Sequence, residues 1–294
     1  MSIYDVSGNP LKVSAEIPFI SVKEYGTKGD GVTDDAQAIQ DAFDALSQTG
    51  GMIFFPVGTY LIKNGLLFYS NQTLYFESGA VLLQGAEIDN LLMSYCADGT
   101  TGYNGTHDAL IYGAVFDGGT YTVNNTLTGV VHCKNITFEN CTFRNAYGTW
   151  HNLEINSSYN VKVINCDFEG ARKTGQTACM IQVDSIDNTS TWPWDNRGAV
   201  DSTISKHVEI AGTVFHNNTI SPAIGNHSQT VIQHVRIHDC VFDGLTSNRG
   251  AVAFQSGLYV YAYNNVFDGC TTALGINVKG YNNVIDGVLA SSTL

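Results

Sequence analysis

One short pattern recurs along most of this chain: a Gly, Asn or Asp, a small or polar residue, any residue, then Phe. It reads Gly113-Ala-Val-Phe116, Asn140-Cys-Thr-Phe143, Asn165-Cys-Asp-Phe168, Gly212-Thr-Val-Phe215, Asp239-Cys-Val-Phe242 and Asn264-Asn-Val-Phe267, with a weaker copy ending at Ile285. The phenylalanines are separated by 27, 25, 47, 27 and 25 residues. The long interval fits one coil carrying an insertion, because 186–203 breaks the pattern. A fixed period in this range is the mark of a repeat architecture, in which each unit buries its apolar face only against its neighbours.

The stretches inside each repeat are short and alternate with period two, as in Val161-Lys-Val-Ile164 and Val235-Arg-Ile237. That is the signature of half-buried strands. Asn and Gly separate them, and both tolerate the left-handed backbone that tight turns need. Charged residues are only 14% of the chain and Gly numbers 30 against 5 Pro, which suits turn-rich β-structure rather than disorder. The expected fold is all-β: a right-handed, single-stranded parallel β-helix with coils of about 25 residues spaced roughly 4.8 Å apart. Equivalent residues then stack, so Phe143, Phe168, Phe215, Phe242 and Phe267 form an internal ladder. Cys141, Cys166 and Cys240 share one repeat position and read as small core residues. The seven cysteines are odd in number and include no CxxC pair, which supports neither a zinc site nor a disulfide framework.

Residues 34–47 change period. Ala38, Ile39, Ala42, Phe43, Ala45 and Leu46 recur at helical spacing, Thr33 or Asp34 is placed to cap the start, and Gly50-Gly51 stop it. An amphipathic helix there is a lid for the open end of a solenoid, whose strand edges need cover. The Asp30, Asp34 and Asp35 group has calcium as an alternative reading, but capping accounts for it.

Here a family resemblance becomes specific. Tyr25-Gly-Thr-Lys-Gly-Asp-Gly-Val-Thr-Asp-Asp-Ala-Gln-Ala-Ile-Gln40 resembles the opening signature of the pectate-lyase-like superfamily, and Gly51-Met-Ile-Phe-Phe-Pro-Val-Gly-Thr-Tyr60 its usual continuation. That superfamily includes polygalacturonase-like hydrolases, polysaccharide lyases and phage tailspike depolymerases. The resemblance implies a polysaccharide partner, and homotrimerisation as in tailspikes. The leader Ile3-Tyr-Asp-Val-Ser-Gly-Asn-Pro-Leu11 resembles linkers that precede such domains in phage tail proteins, and residues 1–10 do not read as a signal peptide. Residues 1–18 are thus expected to be a linker and 19–294 the β-helix domain, with an extracellular or virion-associated location.

Five coils register on one strand: Asn152-Leu-Glu-Ile-Asn156, Met180-Ile-Gln-Val-Asp184, Ala223-Ile-Gly-Asn-His227, Ala251-Val-Ala-Phe-Gln255 and Leu274-Gly-Ile-Asn-Val278. Alternation turns Leu153, Ile181, Ile224 and Val252 inward. The outward columns are then Glu154, Gln182, Gly225, Ala253 and Asn156, Asp184, His227, Gln255. Any one outward polar residue is ordinary wet surface. Two carboxylates and an imidazole converging in a charge-poor chain are over-concentrated, so Glu154, Asp184 and His227, with His151 just before the strand, are the catalytic candidates. Asn156, Gln182, Asp187 and Gln255 are substrate-binding candidates, joined from the insertion by Trp192, Trp194, Asp195 and Arg197, and by the nearby Arg172 and Lys173. The motifs around Glu154, Asp184 and His227 also resemble elements of uncharacterised pectate-lyase-like proteins. The polygalacturonase motifs Asn-Thr-Asp and Arg-Ile-Lys are missing, which argues against galacturonan.

Glu154 and Asp184 lie one coil apart and two residues apart along the strand, a diagonal of roughly 7–8 Å. That leaves room for a water and favours an inverting glycoside hydrolase with an acid/base carboxyl pair and no cofactor. β-Elimination from a uronic-acid polymer is the alternative, with His227 or His151 as base, one of the cations on the sugar carboxylate, and calcium as a possible cofactor. A non-catalytic glycan-binding module is the third reading. The net charge of −13 disfavours nucleic acid, and no run of eighteen apolar residues exists to insert in a membrane.

Overall fold

The computed structural model describes residues 18–289 apart from 123–124, 148–150, 171–178, 188–197 and 218–220. The leader at 1–17, and the candidates Arg172, Lys173, Trp192, Trp194, Asp195 and Arg197, lie outside the described residues.

The chain winds through three sheets of ten, eleven and seven strands, contributing one strand to each in turn. The coil Lys134–Glu139, Thr142–Arg144, Leu153–Asn156 is representative, and each strand pairs in parallel with its counterpart one coil later. This is the expected right-handed parallel β-helix. The recurring pattern now has a local cause. Its first residue, Gly113, Asn140, Asn165, Gly212, Asp239 or Asn264, sits at positive φ in every copy, between 53° and 76°. That left-handed residue makes the corner between the ten- and eleven-stranded sheets, where Gly, Asn and Asp are least penalised. The next residue drops into the core, and the Phe two further on lands on the floor of the following strand.

The phenylalanines stack as expected. Phe116, Phe143, Phe168, Phe215, Phe242 and Phe267 are all fully buried, with successive ring centroids 4.9, 4.3, 5.3, 4.9 and 4.7 Å apart and planes within 16°. The cysteines of the repeat are free thiols in the core, and burial raises the Cys240 thiol to about 12. Near the end of the helix Asn265 and Asn283 replace them. There the Asn265 carbonyl accepts from the Cys240 N–H at 2.9 Å, and its amide donates to the Ile237 carbonyl at 3.0 Å.

The cap helix spans Ala36–Ala45, shorter than the expected 34–47. Asp35 rather than Thr33 or Asp34 stands at its start, but its carboxylate turns back to accept from the Lys28 and Gly29 N–H groups at 2.6 and 2.8 Å. Asp34 instead ends the strand Asp30–Asp34 and accepts from Ala36 N–H at 3.2 Å. The helix does close the open end. The Gln40 amide both donates to and accepts from the backbone of Leu67, on the edge strand Leu66–Phe68. Edge groups that would otherwise face water are thereby paired.

Candidate active site

The functional candidates sit on the seven-stranded sheet, and its register is the one inferred from spacing for four coils. Leu153 pairs with Ile181, Ile181 with Ile224 and Ile224 with Val252; Glu154 pairs with Gln182 and Asn156 with Asp184. The fifth coil is offset by one, because Leu274 rather than Gly275 bridges Val252. The slip keeps Leu274 packed on the core, since a one-residue shift exchanges the faces of a strand.

The outward columns, however, are buried except at His227 and Gln255. Glu154 is 3% exposed, Gln182 1%, and Asn156 and Asp184 are fully buried. Every residue of Thr126–Val131, Leu153–Asn156 and Ile181–Asp184 is buried, whereas strands of the ten-stranded sheet alternate. The outer face carries its own cover. Met93, Cys96, Val131 and Ile186 form a second apolar cluster with Leu67 against it. Above this, segments 97–106 and 198–205 clasp one another through Ala199 N–H to the Thr100 carbonyl at 2.7 Å and Tyr103 hydroxyl to the Ile204 carbonyl at 2.8 Å. His132 lies beneath both, its ring nitrogens 2.7 and 3.0 Å from the carbonyls of Gly102 and Ala199. The described part of the insertion therefore packs down on the sheet.

On the same face of the sheet the catalytic candidates meet. Asp184 Oδ1 accepts from the backbone N–H groups of His227 and Ser228, each at 2.9 Å. Its Oδ2 accepts from the Gln182 amide at 2.9 Å and faces His227 Nδ1 at 3.0 Å. Burial pushes the Asp184 carboxyl upward, but the His227 hydrogen bond and charge, the Ser228 N–H and the Gln182 amide outweigh it, leaving it below the usual range. The hydrogen bond to Asp184 raises His227 against the opposing effect of burial. Glu154 is driven the other way: burial and the charge of Asp184 hold its carboxyl well above the ordinary value, although it accepts from the Asn156 amide at 2.5 Å. The His151 ring lies 6.1 Å from that of His227, tilted by 42°, and donates Nδ1–H to the Cys179 carbonyl at 2.9 Å. Burial, aided by the like charge of His227, lowers it to about 4. Near neutral pH His151 is therefore neutral and Asp184 an anion, while Glu154 is shifted toward its protonated form.

Only part of this cluster reaches solvent. Half of the His227 side chain is exposed, 47% by area, and it enters a cleft of about 170 Å³ together with Gln182, Arg249 and Gln255. Gly225 packs against two of the lining residues: an added Cβ there would stand 2.7 Å from the Ala253 carbonyl and 3.1 Å from the Cys179 sulfur. Neither Glu154 nor Asp184 lines the cleft, and Asn156 is spent on Glu154. Asp187, expected to touch substrate, instead accepts from the N–H groups of Gln229 and Thr230 at 2.7 and 3.0 Å and from the Thr230 hydroxyl. It pins the turn that carries His227. Asp187→Ala is expected to lower stability by about 1–3 kcal/mol, the scale of lost hydrogen bonds to a charged group, and to reduce turnover more than substrate affinity. Chemical denaturation and a kcat-against-KM comparison check it. Among the described residues no group of three or more His, Cys, Asp or Glu is arranged to hold a metal ion.

Arg249 escaped the register argument because it lies in the turn before Val252–Phe254 rather than on a strand. The repeat spacing carries no information about such a position.

A family profile described as rhamnogalacturonase A/epimerase, pectate lyase-like, matches residues 19–191, more than half of the chain. The plasmin and fibronectin-binding protein A of Streptococcus pneumoniae is 32% identical over 259 residues, 77% of this chain. The chain spans only 36% of that protein. The preneck appendage protein of Bacillus phage PZA is 42% identical over 55 residues, 19% of this chain and 6% of its own. Among solved structures, that of PfbA, a surface adhesin of Streptococcus pneumoniae, superposes with a TM-score of 0.71 at 22% identity, covering 91% of this chain and 78% of its own. An iota-carrageenase in complex with iota-carrageenan fragments gives a TM-score of 0.63 at 16% identity, covering 89% and 57%. These two likenesses concern the fold. The match over residues 19–191 decides the family: this chain belongs to the rhamnogalacturonase A/epimerase family of pectate lyase-like β-helix proteins.

Proposed function

We propose that this chain binds an acidic polysaccharide in the His227–Arg249 cleft and cleaves it by β-elimination. The observation that carries the reading is the lining of the cleft. In a chain of net charge −13, the cleft presents an arginine and a histidine with raised proton affinity, and no carboxylate among the described residues. That is a local site for an anionic sugar inside a field that otherwise repels it.

Elimination asks for few groups. Arg249 pairs with the uronate carboxylate, which makes the C5 proton more acidic. His227, in its neutral form, removes that proton through Nε2, while Asp184 holds Nδ1–H and stabilises the imidazolium. The electron pair forms the C4–C5 double bond, the C4–O4 bond breaks, and the imidazolium returns its proton to O4. Hydrolysis by a carboxyl pair is less well served. Glu154 and Asp184 are shifted in the opposite directions such a pair uses, but a hydrolase requires both against the sugar, and neither lines the cleft.

The test is a panel of uronic-acid and neutral polymers, scored for reducing ends and ultraviolet absorbance with wild type and His227→Ala. Elimination is expected to raise both signals together on a uronic-acid polymer, and the variant to lose them. Reducing ends without absorbance mean hydrolysis and sink the proposal. A second reading is favoured by the pneumococcal relative, named for plasmin and fibronectin binding: a rigid module that holds its ligand without turnover. Binding with no product of either kind supports it. Adhesin and phage-appendage relatives both favour action outside the cell or on a virion.

A further inference from the structure

A second and larger cleft, about 470 Å³, opens at the capped end of the helix. Its size falls in the range of about 300–1,000 Å³ typical of small-molecule sites. Tyr69 and Tyr95, which directly follow the strands Leu66–Phe68 and Asn90–Ser94, form its walls. Their rings stand 5.1 Å apart and are tilted by 40°, so the pair forms a wedge rather than a closed stack. Tyr95 remains 40% exposed. Around them are Gln48, Ser70, Asn104 and His107.

Apart from His107, no side chain of this lining carries a charge. His107 is engaged by Asp108, with Nδ1 2.8 Å from Oδ2, and the Tyr69 hydroxyl donates to Asp44 at 2.8 Å. Acidic groups therefore stand just outside the cleft, which disfavours an anionic ligand. Ser70 accepts from the His107 N–H at 3.0 Å, so its own hydroxyl proton is left to donate. The Asn104 amide nitrogen donates to the Thr101 carbonyl at 2.8 Å, which turns its carbonyl end to other partners. Aromatic faces beside paired donors and acceptors suit a ring with apolar C–H faces and hydroxyl edges.

We infer that this cleft binds a neutral saccharide of one or two residues and acts as an anchoring site. Tyr69, Tyr95 and His227 each emerge where a strand of the seven-stranded sheet ends, so both clefts open along one edge of the solenoid. The strand before Tyr95 is four places from the strand before His227, about 19 Å at about 4.8 Å per coil. A polymer that joins the two clefts passes over the outside of segments 97–106 and 198–205, which cover Val131 between them. The anchoring site needs no assumption about what happens at His227.

The test is saturation-transfer NMR with neutral gluco-, galacto- and manno-configured disaccharides and one uronic-acid disaccharide. Wild type is expected to bind at least one neutral disaccharide. Tyr95→Ala and, separately, Gln48→Trp, which fills the cleft from an exposed position, are expected to weaken that binding at least tenfold. His227→Ala is expected to leave it unchanged. Two variants with unchanged thermal midpoints separate loss of the site from loss of fold. The inference is overturned if no neutral disaccharide binds, if both variants bind normally, or if His227→Ala abolishes the binding.

Discussion

Phe168→Ala is expected to destabilise the helix by about 3–5 kcal/mol, as for other buried phenylalanines truncated to alanine. Phe168 is fully buried with Phe143 stacked at 4.3 Å on one side and Phe215 at 5.3 Å on the other. The backbone at each level is fixed by parallel pairing to the coils above and below. Neighbouring rings therefore cannot close the space without breaking those ladders, and the cavity term stays in full. Because a solenoid is held by nearest-neighbour contacts, a lesion in the middle of the stack weakens two interfaces at once. Ile285, which stands on Phe267 near the end of the stack, has one such neighbour below it. Ile285→Ala is accordingly expected to cost less. Denaturant midpoints for the two variants check the order. A Phe168→Ala cost under about 1 kcal/mol means that the ladder is not what stabilises the coil.

The ladder is also the feature most legible in the sequence, for a physical reason. Each corner needs a left-handed residue, so Asn140, Asn165 and Asp239 recur at the coil period, and the Phe three positions later recurs with them. The same periodicity paired Asn156 with Asp184 correctly. It carried nothing about exposure. Whether the outer face of a strand is wet depends on residues distant in sequence, as where segments 97–106 and 198–205 clasp over Val131 and Ile186. Loop segments that pack on a solenoid have no period of their own. Arg249 and the turn-pinning role of Asp187 are hidden for the same reason: both act from turns between strands. The helix start moved for a different one, since Asp35 serves Lys28 and Gly29 rather than the helix end.

Asp184→Asn is expected to lower kcat/KM on the uronic-acid substrate by about a hundred- to ten-thousandfold, the range over which positioned acid–base groups act. The variant keeps an oxygen to accept from the N–H groups of His227 and Ser228, so the turn stays in place. What it loses is the anion opposite His227 Nδ1. An amide nitrogen there donates to Nδ1, moves the proton to Nε2, and removes the base from the cleft. The pH profile separates this from mere misfolding. In wild type the Asp184 hydrogen bond raises His227 above its ordinary value of 6.5, so the base form, and with it activity, increases as pH rises through a point above 6.5. In the variant burial is left to act on His227, and it lowers the imidazole, so the residual activity should rise at lower pH than in wild type. Stability runs the opposite way. Asp184 stabilises the fold above 3.8, its ordinary value, and that contribution is lost as pH falls through its depressed folded value. His227 stabilises below 6.5, and that contribution is lost as pH rises through its elevated folded value. The ion pair is therefore strongest between about 3.8 and 6.5, where the neutral base is scarce. The pair therefore contributes most to stability where the neutral base is scarcest, and Asp184→Asn should remove that contribution while moving the activity limb to lower pH. An unchanged pH limb in the variant would remove Asp184 from the reaction and leave His227 as a binding group.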